Sequence, residues 1–85
     1  MPRISIFFGI VIYMYYDEHA PPHFHAMYEG SAAALDFNGN LLKGTMAPRA
    51  AKLIREWAGM HKEELEENWE RAERNMPLNW IEPLR

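Results

Sequence analysis

Cysteine is absent from these 85 residues. Disulfides and thiolate metal sites are therefore excluded, and any metal must be held by imidazole nitrogen with carboxylate or water oxygen. The absence also fits a reducing cytoplasm, the expected location. No apolar run is long enough to cross a bilayer. The start, Met1-Pro2-Arg3, lacks the ordered basic, apolar and small-residue regions of a signal peptide. Also missing are a phosphate-cradling glycine loop, a Ser or Cys nucleophile with an attendant base, and a paired-carboxylate motif, which sets those classes of enzyme aside. Without repeats, linkers or low-complexity stretches, the chain reads as one domain over residues 1–85 with a small core.

Charge is unevenly spread. Residues 1–55 carry five basic side chains against four acidic ones, whereas from Glu56 onward eight acids face four bases. An acidic half argues against broad wrapping of nucleic acid, whose affinity comes from neutralising phosphates with Lys and Arg. Arg49, Lys52 and Arg55 make a short basic stripe on a helix, which reads first as a solvated face.

From Arg3 to Tyr16 every even position is apolar. That is a strand period, and Gly9 in its middle predicts a bulge or tight bend, giving either one bent strand or two. Asp17 to Pro22 is a loop, because adjacent prolines remove backbone donors; Ala20–Pro21 and Pro21–Pro22 are the candidates for a cis bond. His23 to Tyr28, Ser31 to Phe37 and Asn40 to about Gly44 follow as a meander, turning at Glu29-Gly30 and Asn38-Gly39. With two-residue turns, His23 faces Asp36, Phe24 faces Leu35, His25 faces Ala34 and Leu35 faces Leu42. One sheet face then collects Phe24, Ala26, Tyr28, Ala33, Leu35 and Leu42 as core. The other collects His23, His25, Met27, Asp36 and Leu41, with Ala32 and Ala34 between them.

Pro48 opens a helix whose apolar stripe is Ala50, Leu53, Ile54 and Trp57. The stripe changes phase to Leu65, Trp69, Ala72 and Met76, and Gly59 lies between the two sets. This predicts two helices, about 48–58 and 61–75, or one kinked helix, followed by an extended segment, Met76 to Arg85, that docks through Leu78, Trp80, Ile81 and Leu84. The fold class expected is α+β: an antiparallel meander of about four strands, then the helices.

The histidines carry the chemistry. His19, His23 and His25 can converge, because residues two apart on a strand share a side and the proline loop can return His19 to them. They suit a divalent first-row metal, zinc or nickel, with Asp17, Glu18 and Asp36 nearby. Without metal, His23 or His25 tuned by Asp36 can act as general acid or base, with Lys43 or Arg49 stabilising phosphate charge, as in a small phosphoesterase or ribonuclease. Against both stands a purely structural role, in which each imidazole is satisfied by a neighbouring carboxylate or carbonyl. Tyr13 and Tyr15, beside Phe7 and Val11, put more apolar surface on the first segment than water requires, which predicts a protein partner or a second copy there.

Several stretches together closely resemble the bacterial domain-of-unknown-function family 4160: Met1-Pro2-Arg3-Ile4-Ser5, Phe8-Gly9-Ile10-Val11-Ile12, His19-Ala20-Pro21-Pro22-His23-Phe24-His25, Glu56-Trp57-Ala58, His61-Lys62-Glu63-Glu64-Leu65, Asn68-Trp69-Glu70 and Ile81-Glu82-Pro83-Leu84. The resemblance implies a bacterial cytosolic protein, typically short and free-standing. It also implies a neighbouring gene for another small domain of unknown function (family 2442), in an arrangement like a toxin–antitoxin module. It implies a protein partner and no established activity.

Overall fold

A computed structural model describes residues 2–85; Met1, the first residue of the motifs quoted above, lies outside them. Five strands, β1 (Arg3–Phe7), β2 (Ile10–Tyr13), β3 (His23–Tyr28), β4 (Ser31–Asp36) and β5 (Leu41–Gly44), precede two helices, α1 (Pro48–Met60) and α2 (Lys62–Glu73). The strands form one antiparallel sheet in the order β1-β2-β3-β4-β5. The α+β expectation holds, and the long first segment is two strands.

Phe8 and Gly9 join β1 to β2 with φ of 50° and 79°, and Glu29 and Gly30 join β3 to β4 with 45° and 82°. Both positive angles in each pair match the right-handed twist of a two-residue hairpin. A turn that pairs Phe7 with Ile10 couples an odd to an even position. Even parity therefore does not run through the first segment: Phe7 joins the core, whereas Ile6 is 40% exposed on the other face. An irregularity between Arg3 and Ser5 lets both Ile4 and Ser5 be buried, and the Ile4 carbonyl accepts the Ile81 N–H at 2.7 Å.

Around Glu29-Gly30 the observed register is the expected one, from Tyr28↔Ser31 to His23↔Asp36. At the next hairpin Ala34↔Lys43 is as two-residue turns predict, but nearer the turn the register slips by one. Gly39 N–H bonds to the Asp36 carbonyl and Asp36 N–H to the Asn40 carbonyl, each at 2.9 Å, and only Gly39 of the Asn38-Gly39 pair has a positive φ. The cause is the Asp36 carboxylate, which accepts the backbone N–H groups of Asn38 and Asn40 at 2.9 Å and selects a longer loop ending in a left-handed glycine. A Cβ on Gly39 would lie 2.7 Å from the Arg55 Cα, so α1 also holds that turn. Leu35 consequently pairs with Leu41, and Leu42 is exposed at the sheet edge instead of joining the core.

The helices cover one sheet face. Ala50, Ile54, Trp57 and Ala58 of α1 and Leu65 and Ala72 of α2 form one core with Ile10, Ile12, Phe24, Ala26 and Leu35. Trp57 is wholly buried against Phe7 and Phe24, with ring centroids 5.4 and 5.7 Å away. The break between the helices falls at His61, φ −127°, ψ 27°, and not at Gly59, which stays inside α1. The last segment docks extended, as expected, through Leu78, Ile81 and Leu84; Trp80, expected to dock with them, is 56% exposed, because in an extended segment the residue beside buried Ile81 points the other way. Buried Asn68 donates to the Asn79 carbonyl (2.9 Å) and accepts the Asn79 N–H (2.8 Å), and Trp57 Nε1 donates to the Glu82 carbonyl (3.0 Å).

Candidate functional site

The loop after β2 bends back through Asp17 in a left-handed conformation, φ 60°, passes a cis Ala20–Pro21 bond and delivers the chain into β3. The Pro21 carbonyl accepts a hydrogen bond from His23 Nδ1 at 2.7 Å. Because a carbonyl can only accept, the proton belongs to Nδ1, and in the neutral ring the Nε2 lone pair is free to face inward. Glu18 Oε1 lies 3.4 Å from His23 Nε2 and 2.5 Å from His25 Nε2, which donates to it. One ligand-type atom from each of Glu18, His23 and His25 falls within 4.8 Å of the others.

Aromatic rings fix this group from several sides. Tyr13 stacks on His25 at 5.2 Å, Tyr15 meets His25 edge-on at 4.9 Å, and Trp69 of α2 lies 5.3 Å from His23. His23 is buried, and His25 and Glu18 are half-buried. Burial alone would raise the Glu18 carboxyl, but the hydrogen bond from His25 and the favourable electrostatics of the two imidazoles beside it outweigh burial and hold it below its ordinary 4.5. Burial first, then the neighbouring Tyr15, raises the Tyr13 hydroxyl above its ordinary 10.0. A small cleft lined by Tyr15, Asp17, Glu18, Trp69, Ala72 and Glu73 opens beside Glu18, with three carboxylates on its wall.

Of the residues singled out in the sequence, His23 and His25 come together and His19 does not. His19 is exposed and its Nδ1 lies 3.3 Å from the Ala20 carbonyl. Asp36 sits opposite His23 in the backbone register, but its carboxylate is committed to the 38–40 turn. Those backbone N–H bonds outweigh the effect of burial and lower its carboxyl below the ordinary 3.8. Arg49 is exposed on α1. Tyr13 is 5% exposed beneath Tyr15 and His25, so any partner would meet Tyr15, at 39%. Sequence reasoning named Glu18 only as a neighbour and placed Trp69 on the apolar stripe of the second helix, without bringing it to His23. The signal for Trp69 was present in the Asn68-Trp69 pair, where a buried amide anchors the helix face that carries the indole.

Beside the cluster lies the sheet face that the helices leave open. Two cross-strand ladders run over it. Ile6, Val11, Met27 and Ala32 are successive register partners and form an apolar row; Tyr13, His25, Ala34 and Lys43 form the next, starting from Arg3. Ile6 and Ala32 are exposed, and Val11 and Met27 half-buried. The turn residue Phe8, 60% exposed, extends the apolar surface at one end.

A family model described as a domain of unknown function (DUF4160) matches residues 9–70, a span that holds the proline loop, Glu18, His23, His25 and Trp69. No curated protein and no solved structure matches the chain.

Proposed function

The chain belongs to the DUF4160 family, and from that premise we propose that it acts by binding a protein partner as one component of a bacterial, cytoplasmic two-gene module of the toxin–antitoxin or regulatory kind. The observation that carries this reading is the apolar row Ile6–Val11–Met27–Ala32, left uncovered on a sheet whose opposite face is packed by the helices over β1 to β4. Solvent-facing strands of antiparallel sheets ordinarily alternate to polar residues, and a row of four apolar ones marks a surface meant for a cover. The charged side chains on these two ladders are Arg3 and Lys43, both basic and exposed. Face-to-face pairing of two copies would bring cations against cations. The occupant that fits is a different protein with an apolar patch rimmed by carboxylates.

Co-expression with the product of the adjacent gene, followed by affinity purification and light scattering, tests this reading. The expected result is a stable heterocomplex that Val11→Lys weakens at least 100-fold. A chain that stays monomeric beside that product, or that forms only a homodimer, overturns it.

One observation favours a second reading, hydrolysis of a phosphoester. His25 and Lys43 flank Ala34 in the same ladder and line one shallow cleft with Tyr13, which sets an imidazole and an ammonium across a lane of small residues. Cleavage of a generic RNA that disappears in both His25→Ala and Lys43→Ala would establish it, and equal background rates in all three proteins would remove it.

A further inference from the structure

We propose that Glu18, His23 and His25 form a site for a single divalent first-row transition cation, zinc being the ion that suits the donors best. The inference does not depend on the partner-binding reading. Two imidazole nitrogens and one carboxylate oxygen are the three-ligand set that leaves a fourth position on zinc for water or an incoming group. Tetrahedral bonds of about 2.0–2.1 Å place neighbouring donor atoms roughly 3.3–3.4 Å apart. His23 Nε2 and Glu18 Oε1 already stand at 3.4 Å. His25 Nε2 and Glu18 Oε1 are closer, at 2.5 Å, because a proton lies between them. An ion entering the site takes the place of that proton, which leaves to solvent, and the pair opens by about 1 Å to the same edge length.

Three further features suit a cation. The Pro21 carbonyl fixes the His23 tautomer with Nε2 turned toward the other donors, the role that an outer hydrogen-bond acceptor performs at zinc histidines. Stacked Tyr13, edge-on Tyr15 and Trp69 hold the two imidazoles in place before any ion arrives. The cleft beside Glu18 adds Asp17 and Glu73, so its field attracts positive charge toward the open side. Among the described residues this is the one group of three such donors close enough to share an ion. His19, nearest in sequence and richest in motif terms, is turned out to solvent and takes no part.

Zinc sulfate titrated calorimetrically into chelator-treated full-length protein tests the site. Binding is expected at one ion per chain, with a thermal midpoint raised by roughly 10 °C or more at a hundredfold excess over Kd. Glu18→Gln and His25→Ala should each weaken binding at least 100-fold, and His19→Ala should leave it unchanged. Should those variants fail to fold, nitrogen NMR of the wild-type imidazoles decides: zinc must shift His23 and His25 and leave His19 and His61 in place. Absence of stoichiometric zinc, loss of binding in His19→Ala, or shifts centred on His61 would each overturn the proposal.

Discussion

The two faces of the sheet are built from the same strands and differ in what they can do alone. On the helix side Ile10, Ile12, Phe24, Ala26 and Leu35 are wholly or almost wholly buried beneath Ile54, Trp57 and Ala58, and the chain supplies its own cover. On the far side Ile6, Val11, Met27 and Ala32 lie in register with nothing laid across them. The exception on that side is the corner where Tyr13, Tyr15, Glu18, His23 and His25 bury one another. A face that packs itself contributes stability. A face that stays apolar and open stores recognition, because burying it adds free energy only when a second molecule arrives.

That contrast can be broken first on the packed side. Trp57→Ala removes a fully buried indole, its contacts with Phe7 and Phe24 and its bond to Glu82, and should cost about 3–5 kcal/mol, a large part of the stability of a domain this size. Urea denaturation followed by far-UV circular dichroism reads it directly. A loss under about 1 kcal/mol would mean that the helices are not what holds the sheet.

A middle-sized effect is expected at the turn between β4 and β5. Asp36→Ala deletes the carboxylate that accepts Asn38 and Asn40 N–H and should cost about 1–2 kcal/mol. The folded-state value for this acid is lowered, so its contribution is fully present above the ordinary 3.8 and disappears as pH falls through the lower folded value. The stability gap between wild type and variant should therefore be full at pH 6 and shrink as the solution is made strongly acid; a gap that stayed constant across the whole acid range would contradict the assignment.

The smallest change in stability belongs to the open face. Val11→Lys should alter unfolding free energy by less than about 1 kcal/mol, since Val11 is covered by no other layer and the cost is mainly strand preference. Set beside its expected large effect on partner capture, this mutant sharpens the comparison. Stability loss as large as that of Trp57→Ala would show that the open face belongs to the fold.

Much of this was legible in the amino-acid order. Alternation and a Glu29-Gly30 turn predict every pairing from Tyr28↔Ser31 to His23↔Asp36, because a two-residue hairpin leaves no freedom of register. Amphipathic stripes place Ile54, Trp57, Leu65 and Trp69 on the inside of two helices. His23 and His25 are on one side of one strand by geometry alone. The misreadings arise where a turn resets the period. The two-residue turn at Phe8-Gly9 sets the parity of β1, and the Asp36 carboxylate bonding to the Asn38 and Asn40 N–H groups produces the shift that exposes Leu42.

The histidine corner divides the same way. Sequence by itself determined that two imidazoles meet at the start of β3, behind a proline loop and without any thiol to compete. Only the tertiary structure decided that Glu18, and not His19, completes the group, and that Asp36 is spent on a turn. The physical reason is that strand periodicity is local and repeats every two residues, whereas the path of a loop is chosen by what it lands on. Here that is the pocket formed by Tyr13, Tyr15 and, from the second helix, Trp69.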